Sequence, residues 1–231
     1  MSETRHDAAA AAALTVWVRG VESVPGSTRR EILVTVTDGT HISEESYTVL
    51  RTFFDREIDA QQLLSESDYE QLLRADESSR AAICAAGLLE LRDHSKKELR
   101  DKLFRRKFSP QATADAIAYL DEKGLLREDL LLARYVEYFA KKKYWGPAKI
   151  NAELSRRGLS VSAHRDAYEQ AMEDIDFAQI CLYHVRKIGL AAFEDYRSRQ
   201  KHYAALQRRG FYTTHIRAAL ELLAEEEPLT P

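Results

Sequence analysis

One phrase occurs three times in this chain: Leu103-Phe104-Arg105-Arg106-Lys107-Phe108, Leu154-Ser155-Arg156-Arg157-Gly158-Leu159 and Leu206-Gln207-Arg208-Arg209-Gly210-Phe211. The leucines stand 51 and 52 residues apart, and thirteen residues after each comes an alanine, at Ala116, Ala167 and Ala219. A near-constant period of this length means tandem supersecondary units, each burying its apolar face against the next. Stacked repeats present long surfaces to partners, so the first expectation is a binder.

A length of 231 residues leaves room for a small domain joined to such an array. No run of about 18 apolar residues occurs, so no transmembrane helix is expected. The alanines from Ala8 to Ala13 come after Glu3 and Asp7, which reads as a disordered leader over residues 1–13 rather than a signal-peptide core. Cys84 and Cys181 are the two cysteines, each among apolar residues at helical spacing. They suit reduced core thiols in a cytoplasmic protein.

The formal net charge of -3 conceals a polarised distribution. From His94 to Lys107 there are seven Lys or Arg against two acids, from Lys141 to Gly158 six against one, and from Arg186 to Gly210 seven against two. Basic charge is thus concentrated once per repeat, and stacking could align it into a stripe for nucleic acid or an acidic protein surface. A plainer account is that Lys and Arg near helix C-termini complement the helix dipole.

Residues 14–64 differ in character from the rest of the chain. Leu14 to Val18 and Ile32 to Val36 alternate in the strand period and are rich in β-branched residues, with Pro25-Gly26-Ser27 between them. Asp38-Gly39 signals a hairpin, so a brief third strand is expected at Thr40 to Ile42, before a helix from Ser43 or Ser46 through Phe54. So small a sheet should pack on the helix carrying Val49, Leu50, Phe53 and Phe54.

From Ser65 the pattern is helical. Ser95-x-x-Glu98 is a capping box, and Ser109-Pro110 and Gly146-Pro147 mark helix starts. Gly158 and Gly210 fit the left-handed position that ends a helix, where the first repeat has Lys107. The same turn is expected in all three, slightly strained in the first. The fold class is therefore mainly α: three tandem three-helix repeats in an elongated array, preceded by a three-stranded β-segment with a helix. Repeat boundaries fall at 65–127, 128–175 and 176–231, the last with an acidic tail. Leading helices are expected at about 78–92, 129–142 and 176–187. Tyr135, Tyr138 and Phe139 are expected as core packing between the first two repeats.

The run from Arg92 to Leu103, the exit Gly124-Leu125-Leu126, the run from Trp145 to Leu154, Arg186-Lys187-Ile188-Gly189 and Arg208-Arg209-Gly210-Phe211 together resemble the RecX regulatory proteins. The likeness covers about 65–225, and Lys107 in place of glycine is a departure from the pattern. The resemblance implies a bacterial, cytoplasmic regulator, typically negative, of the RecA recombinase. Members lie along the RecA filament on single-stranded DNA and limit filament growth, ATP hydrolysis, strand exchange and the co-protease activity that triggers the SOS response. The partner implied is that filament, with direct DNA contact left open, no membrane, no cofactor and a monomeric chain. Candidate RecA or DNA contacts are Lys96, Lys97, Arg100, Lys102, Arg105 and Arg106 in the first repeat. In the second they are Lys141, Lys142, Lys143, Trp145, Lys149, Arg156 and Arg157, and in the third Arg208 and Arg209.

An alternative is a helical-repeat nucleic-acid-binding protein acting without RecA. Each middle helix, turn and closing helix could be taken for a helix-turn-helix, with Tyr144, Trp145 and Phe211 stacking on bases. Trp145 also sits where a hydrophobic staple would precede a helix. An enzyme is not expected: the seven histidines are scattered, there is no His-Glu-x-x-His and no glycine-rich phosphate loop. Cys181-x-x-His184 could hold half a metal site, but no second pair accompanies it.

Overall fold

A computed structural model describes residues 14–23 and 25–226; the leader at 1–13 and the last residues of the acidic tail lie outside them. The chain divides into two compact units. The first takes the described residues through Leu91 together with Arg100–Lys123, and the second takes Arg92–Leu99 and the described residues from Gly124 onward.

The first unit opens with β1 (Thr15–Ser23), β2 (Arg29–Thr37), β3 (Ile42–Leu50) and the short β4 (Leu63–Leu64), an antiparallel sheet in the order β3-β2-β1-β4. Alternation puts Val16, Val18, Ile32, Val34 and Val49 on one face, where they form a core with Phe54, Leu64, Leu72 and Ala75. The Asp38-Gly39 reversal is held by the Asp38 carboxylate, which accepts the backbone N–H of Thr40 at 2.8 Å and of His41 at 2.7 Å. These bonds, that from His41 first, hold its pKa well below the usual carboxylate range.

The expected helix from Ser43 or Ser46 to Phe54 is a strand instead. β3 pairs with β2 from Arg29↔Leu50 through Thr37↔Ile42. The serines and glutamates of this segment offer a helix start but no apolar stripe to bury, whereas alternation places Tyr47 and Val49 on the core face, so the ladder wins. The packing helix is α1 (Glu66–Leu91), longer at its N-terminus than the expected 78–92. Its Asp76 carboxylate accepts the Thr48 N–H at 2.9 Å, and its Ser79 hydroxyl accepts the Leu50 N–H at 2.8 Å. Side chains of α1 thus occupy donors along the outer edge of β3, which would otherwise invite a foreign strand. The residues from Ser65 to Ser79, rich in acidic and polar side chains, include both bracketing groups.

Along its C-terminal half α1 packs Ala81, Ala82 and Ala85 inward. Helix α3 (Pro110–Glu122) brings Ala112 and Ala116, and Ser109 caps it by accepting the Ala112 N–H. Cys84 is half-buried rather than a core thiol; Cys181 is fully buried, and both are free. Burial pushes the Cys181 thiol up to about 12. Between α1 and α3 in sequence lies α2 (Lys96–Arg105).

The second unit contains α4 (Glu128–Lys141), α5 (Pro147–Arg156), α6 (Arg165–Glu173), α7 (Phe177–Ile188), α8 (Tyr196–Arg208) and α9 (Thr213–Glu226), with a short 3-10 turn at Leu190–Phe193. Leu132, Val136, Phe139, Ile150, Leu154 and Leu159 centre one core. Cys181, Val185, Leu206, Phe211 and Ile216 centre another. Tyr138, expected in the core, is 45% exposed, because its neighbours Tyr135 and Phe139 take the inward side of α4. No helix among the described residues is long and apolar enough to cross a membrane.

Candidate interaction surface

The three recurring phrases end their helices in the same way. After α2 the Phe108 N–H bonds the Leu103 carbonyl at 3.3 Å and the Lys107 N–H bonds Phe104 at 3.0 Å. After α5 the pairs are Leu159 to Leu154 and Gly158 to Ser155, both 3.0 Å; after α8 they are Phe211 to Leu206 at 3.2 Å and Gly210 to Gln207 at 2.8 Å. The left-handed residue has φ of 70° at Lys107, 78° at Gly158 and 94° at Gly210. This double closure satisfies carbonyls that a helix end leaves open. It sets Arg105-Arg106, Arg156-Arg157 and Arg208-Arg209 at one recurring step, the final helical residue and the cap.

In the second unit these turns are buttressed by the start of another helix. The Ser95 hydroxyl at the head of α2 donates to the Arg157 carbonyl at 2.6 Å, and Lys97 Nζ donates to the Arg156 carbonyl at 2.8 Å. At the head of α5, the N–H of Gly146 bonds the Arg209 carbonyl at 2.8 Å and that of Ala148 bonds Gly210 at 3.1 Å. The junction repeats: donors at one helix N-terminus meet acceptors at another's C-terminal turn, the positive end of one dipole at the negative end of the other.

The arginine pairs then diverge. Arg156 points outward, 67% exposed, on Glu153 at 2.6 Å. Arg157 is 23% exposed and reaches Glu98 at 3.1 Å, the Tyr135 hydroxyl at 2.9 Å and Glu153 at 2.8 Å, with its guanidinium over the Tyr135 ring at 4.5 Å. Glu98 also bonds His94 Nδ1 at 3.1 Å and Arg92 at 3.2 Å. Burial pushes the Glu98 carboxyl up, but the His94 hydrogen bond and the guanidiniums of Arg92 and Arg157 outweigh it, and its pKa lies below the usual value.

The remaining candidates divide likewise. Trp145 stacks on Phe139 at 4.8 Å, with Lys149 Nζ 4.2 Å from its ring centroid, which makes it a core-edge residue. Lys141 pairs with Glu137 at 2.9 Å, and Lys143 lies over Tyr138 at 5.6 Å. Lys96 is half-buried, and its backbone N–H bonds Glu128 at 2.7 Å. In the first unit, Arg105 Nε donates to the Asp101 carbonyl at 3.1 Å and Arg106 Nη1 to the Cys84 sulfur at 2.8 Å, and both arginines remain exposed. Arg100, Lys142, Arg208 and Arg209 are exposed, Lys102 is half-exposed, and none has a side-chain hydrogen bond or ion pair among the described residues.

The RecX first three-helix domain model matches residues 84–120, which contain the first arginine pair. The regulatory protein RecX of Chlorobium phaeobacteroides is 33% identical over 138 residues, 59% of this chain and 89% of its own length. That of Halorhodospira halophila is 32% identical over 151 residues, 64% of this chain and 90% of its own. The chain belongs to the RecX family. A solved regulatory protein RecX shares the fold across 92% of this chain with a TM-score of 0.67 at 16% identity. RecX from Lactobacillus salivarius does so across 65% with a TM-score of 0.56 at 21% identity.

Residue spacing alone left two features of this RecX-family chain unseen. One is the Glu98 hub, whose nearest signal was the Ser95-x-x-Glu98 box; the carboxylate serves His94, Arg92 and Arg157. The other surrounds Tyr144, whose φ is 53°. Its carbonyl accepts His184 Nε2–H at 2.8 Å, and its ring stacks on Tyr183 at 3.9 Å, with Lys187 Nζ 4.0 Å from the Tyr183 centroid. Burial lowers the His184 pKa; the Tyr144 bond opposes this, while the charges of Arg209 and Lys187 reinforce it. His215, also lowered chiefly by burial, acts in the same direction. A histidine with a depressed folded pKa takes up protons preferentially when unfolded, so its contribution is present above the unfolded value of about 6.5 and is lost as pH falls below it. Urea unfolding should therefore show lower stability at pH 5.5 than at pH 7.5, and His184→Gln should reduce that difference; an unchanged difference would show that His184 does not cause it.

Among the described residues no three His, Cys, Asp or Glu side chains are grouped to hold a metal ion.

Proposed function

We propose that this protein regulates a RecA recombinase in the cytoplasm by binding the RecA filament on single-stranded DNA, limiting filament growth, ATP hydrolysis, strand exchange and SOS co-protease activity. Family membership, through relatives matched over about nine-tenths of their length, carries this reading. The geometry supports it: one helix-end turn, used three times, presents exposed guanidiniums at Arg105, Arg106, Arg156, Arg208 and Arg209. Guanidinium forks suit phosphate and carboxylate alike, the two anionic chemistries of a nucleoprotein filament. Three repeats, expected from the sequence at 65–127, 128–175 and 176–231, would then each contribute a contact.

The base-stacking version of the DNA-only reading has less support, because Phe211 is 2% exposed and Trp145 and Tyr144 are already stacked on other rings. RecA ATP hydrolysis on single-stranded DNA, titrated with this protein at two salt concentrations, tests the proposal. Inhibition is expected well below one molecule per RecA protomer, and it should weaken with salt. Changing Arg105, Arg106, Arg208 and Arg209 together to Ala should flatten the salt dependence, by about 0.7 in log–log slope for each lost single-strand phosphate contact. Equal inhibition by that variant would refute the assigned surface, and binding to bare DNA with no effect on RecA would favour the DNA-only reading.

A further inference from the structure

A surface of opposite character lies within the second unit, between α4 and α6. A groove of about 520 Å³ runs there, floored by Leu130, Ala133, Ala167 and Ala171. Leu130 is 44% exposed. Helix α6 is the one helix of this unit with no fully buried side chain among the described residues, so Ala167 and Ala171 on its groove side stay half-exposed even where Ala171 packs on the core. Small side chains on both walls leave room for another backbone to approach.

The rim is acidic. Asp129, Asp166 and Asp174 line the groove and have no hydrogen-bond or ion-pair partner through their side chains among the described residues. Its two cations are already engaged, Lys141 with Glu137 at 2.9 Å and Arg134 with Asp93. Asp129 and Asp166 sit in the first turns of α4 and α6, where a carboxylate is favoured by the helix dipole. Asp174 caps the C-terminal end of α6, where the dipole disfavours it. It is exposed to solvent there and available to a cation.

We propose that the α4–α6 groove docks an amphipathic cationic helix of a partner protein, its apolar stripe against Leu130 and the alanines and its Lys or Arg flank along Asp129, Asp166 and Asp174. The nine residues of α6 span about 13 Å, matching two to three turns of a helix lying in the groove. Charge complementarity selects the occupant: the rim repels an acidic segment or nucleic acid and attracts a basic one. None of the groove's lining residues belongs to the arginine-bearing turns, and the proposal does not depend on the RecA reading.

Fluorescence anisotropy with the full chain tests it. The probe is a dye-labelled leucine–lysine peptide of about 12 residues with leucines at i, i+3, i+4 and i+7, compared with a scrambled peptide of the same composition. The patterned peptide should bind at least about ten-fold more tightly than the scrambled one, and Asp129→Asn/Asp166→Asn/Asp174→Asn should weaken it by about ten-fold or more. Ala167→Phe, which fills the groove without altering charge, should also abolish preference for the patterned peptide, while circular dichroism shows both variants folded. Equal binding of both peptides, or unchanged binding by the folded triple variant, would overturn the proposal. So would a wild-type dimer in sedimentation that the triple variant dissolves, since the occupant would then be a second copy of this chain.

Discussion

Replacing Gly210 with alanine is expected to destabilise the second unit by about 2–5 kcal/mol, from left-handed strain and overpacking together. At about 2–4 °C per kcal/mol for a chain of this size, its melting transition should fall by roughly 4–20 °C. The residue has φ of 94°, and a Cβ there would meet the Lys149 backbone nitrogen well inside 3.0 Å, with the Gly146 carbonyl similarly close. Backbone cannot swing aside as the end of a side chain can. Two companion variants separate the causes. Gly146 has φ of -83°, ordinary for any residue, yet its Cβ would strike the Gly210 carbonyl group and the Phe211 nitrogen. Gly146→Ala should therefore cost about 1–3 kcal/mol by overpacking alone. Gly124 has φ of 67° with nothing within 4 Å of its Cβ position, so Gly124→Ala should cost about 1–2 kcal/mol from left-handed strain alone. Differential scanning calorimetry of the three checks this; a Gly210 variant no worse than the Gly124 variant would show that the two backbones are not in close contact.

The second large effect concerns neighbouring arginines that look interchangeable in sequence. Arg157→Ala should destabilise the second unit by about 2–4 kcal/mol, because it removes a partly buried, hydrogen-bonded charge and leaves its carboxylate partners less satisfied. The guanidinium joins Glu98, Glu153 and Tyr135, and lies over the Tyr135 ring. Lysine cannot reproduce that fork and stack, so Arg157→Lys should recover only a small part. Arg156→Ala removes an exposed, solvent-screened pair with Glu153 and should leave stability nearly unchanged. On the proposed function, it should reduce filament binding instead. Equilibrium urea unfolding of the three variants distinguishes the roles, and equal losses for Arg156→Ala and Arg157→Ala would contradict the assignment. Glu98, held below its usual pKa, adds stability that is present above its unfolded pKa and lost as pH falls through its folded value. Acidification should thus narrow the gap between wild type and the Arg157 variant.

Much of the helical architecture was legible because it is written in local chemistry. Ser109-Pro110 and Gly146-Pro147 open helices at the expected residues. Lys107, Gly158 and Gly210 share the left-handed turn that the period predicted, with lysine supporting the strain where glycine would not feel it. A 51- or 52-residue period and short-range caps act over a few bonds or through simple repetition, so they survive in one dimension. The β-segment was legible only in part. Ser43 to Thr48 carries no strong local preference, and its conformation is set by the length of β2 and the side chains that α1 supplies along the β3 edge.

The sequence by itself determined the repeats, their caps and the concentration of basic charge at one step of each. Tertiary structure alone decided which of those charges remain available. Arg157 and Lys97 lie 60 residues apart in sequence, yet at one junction they bind carboxylates and a carbonyl of facing segments. Gly146 and Gly210 are glycines because two backbones meet there, a constraint with no local signature. Burial and pairing are properties of what a residue faces, and only the folded chain brings those faces together.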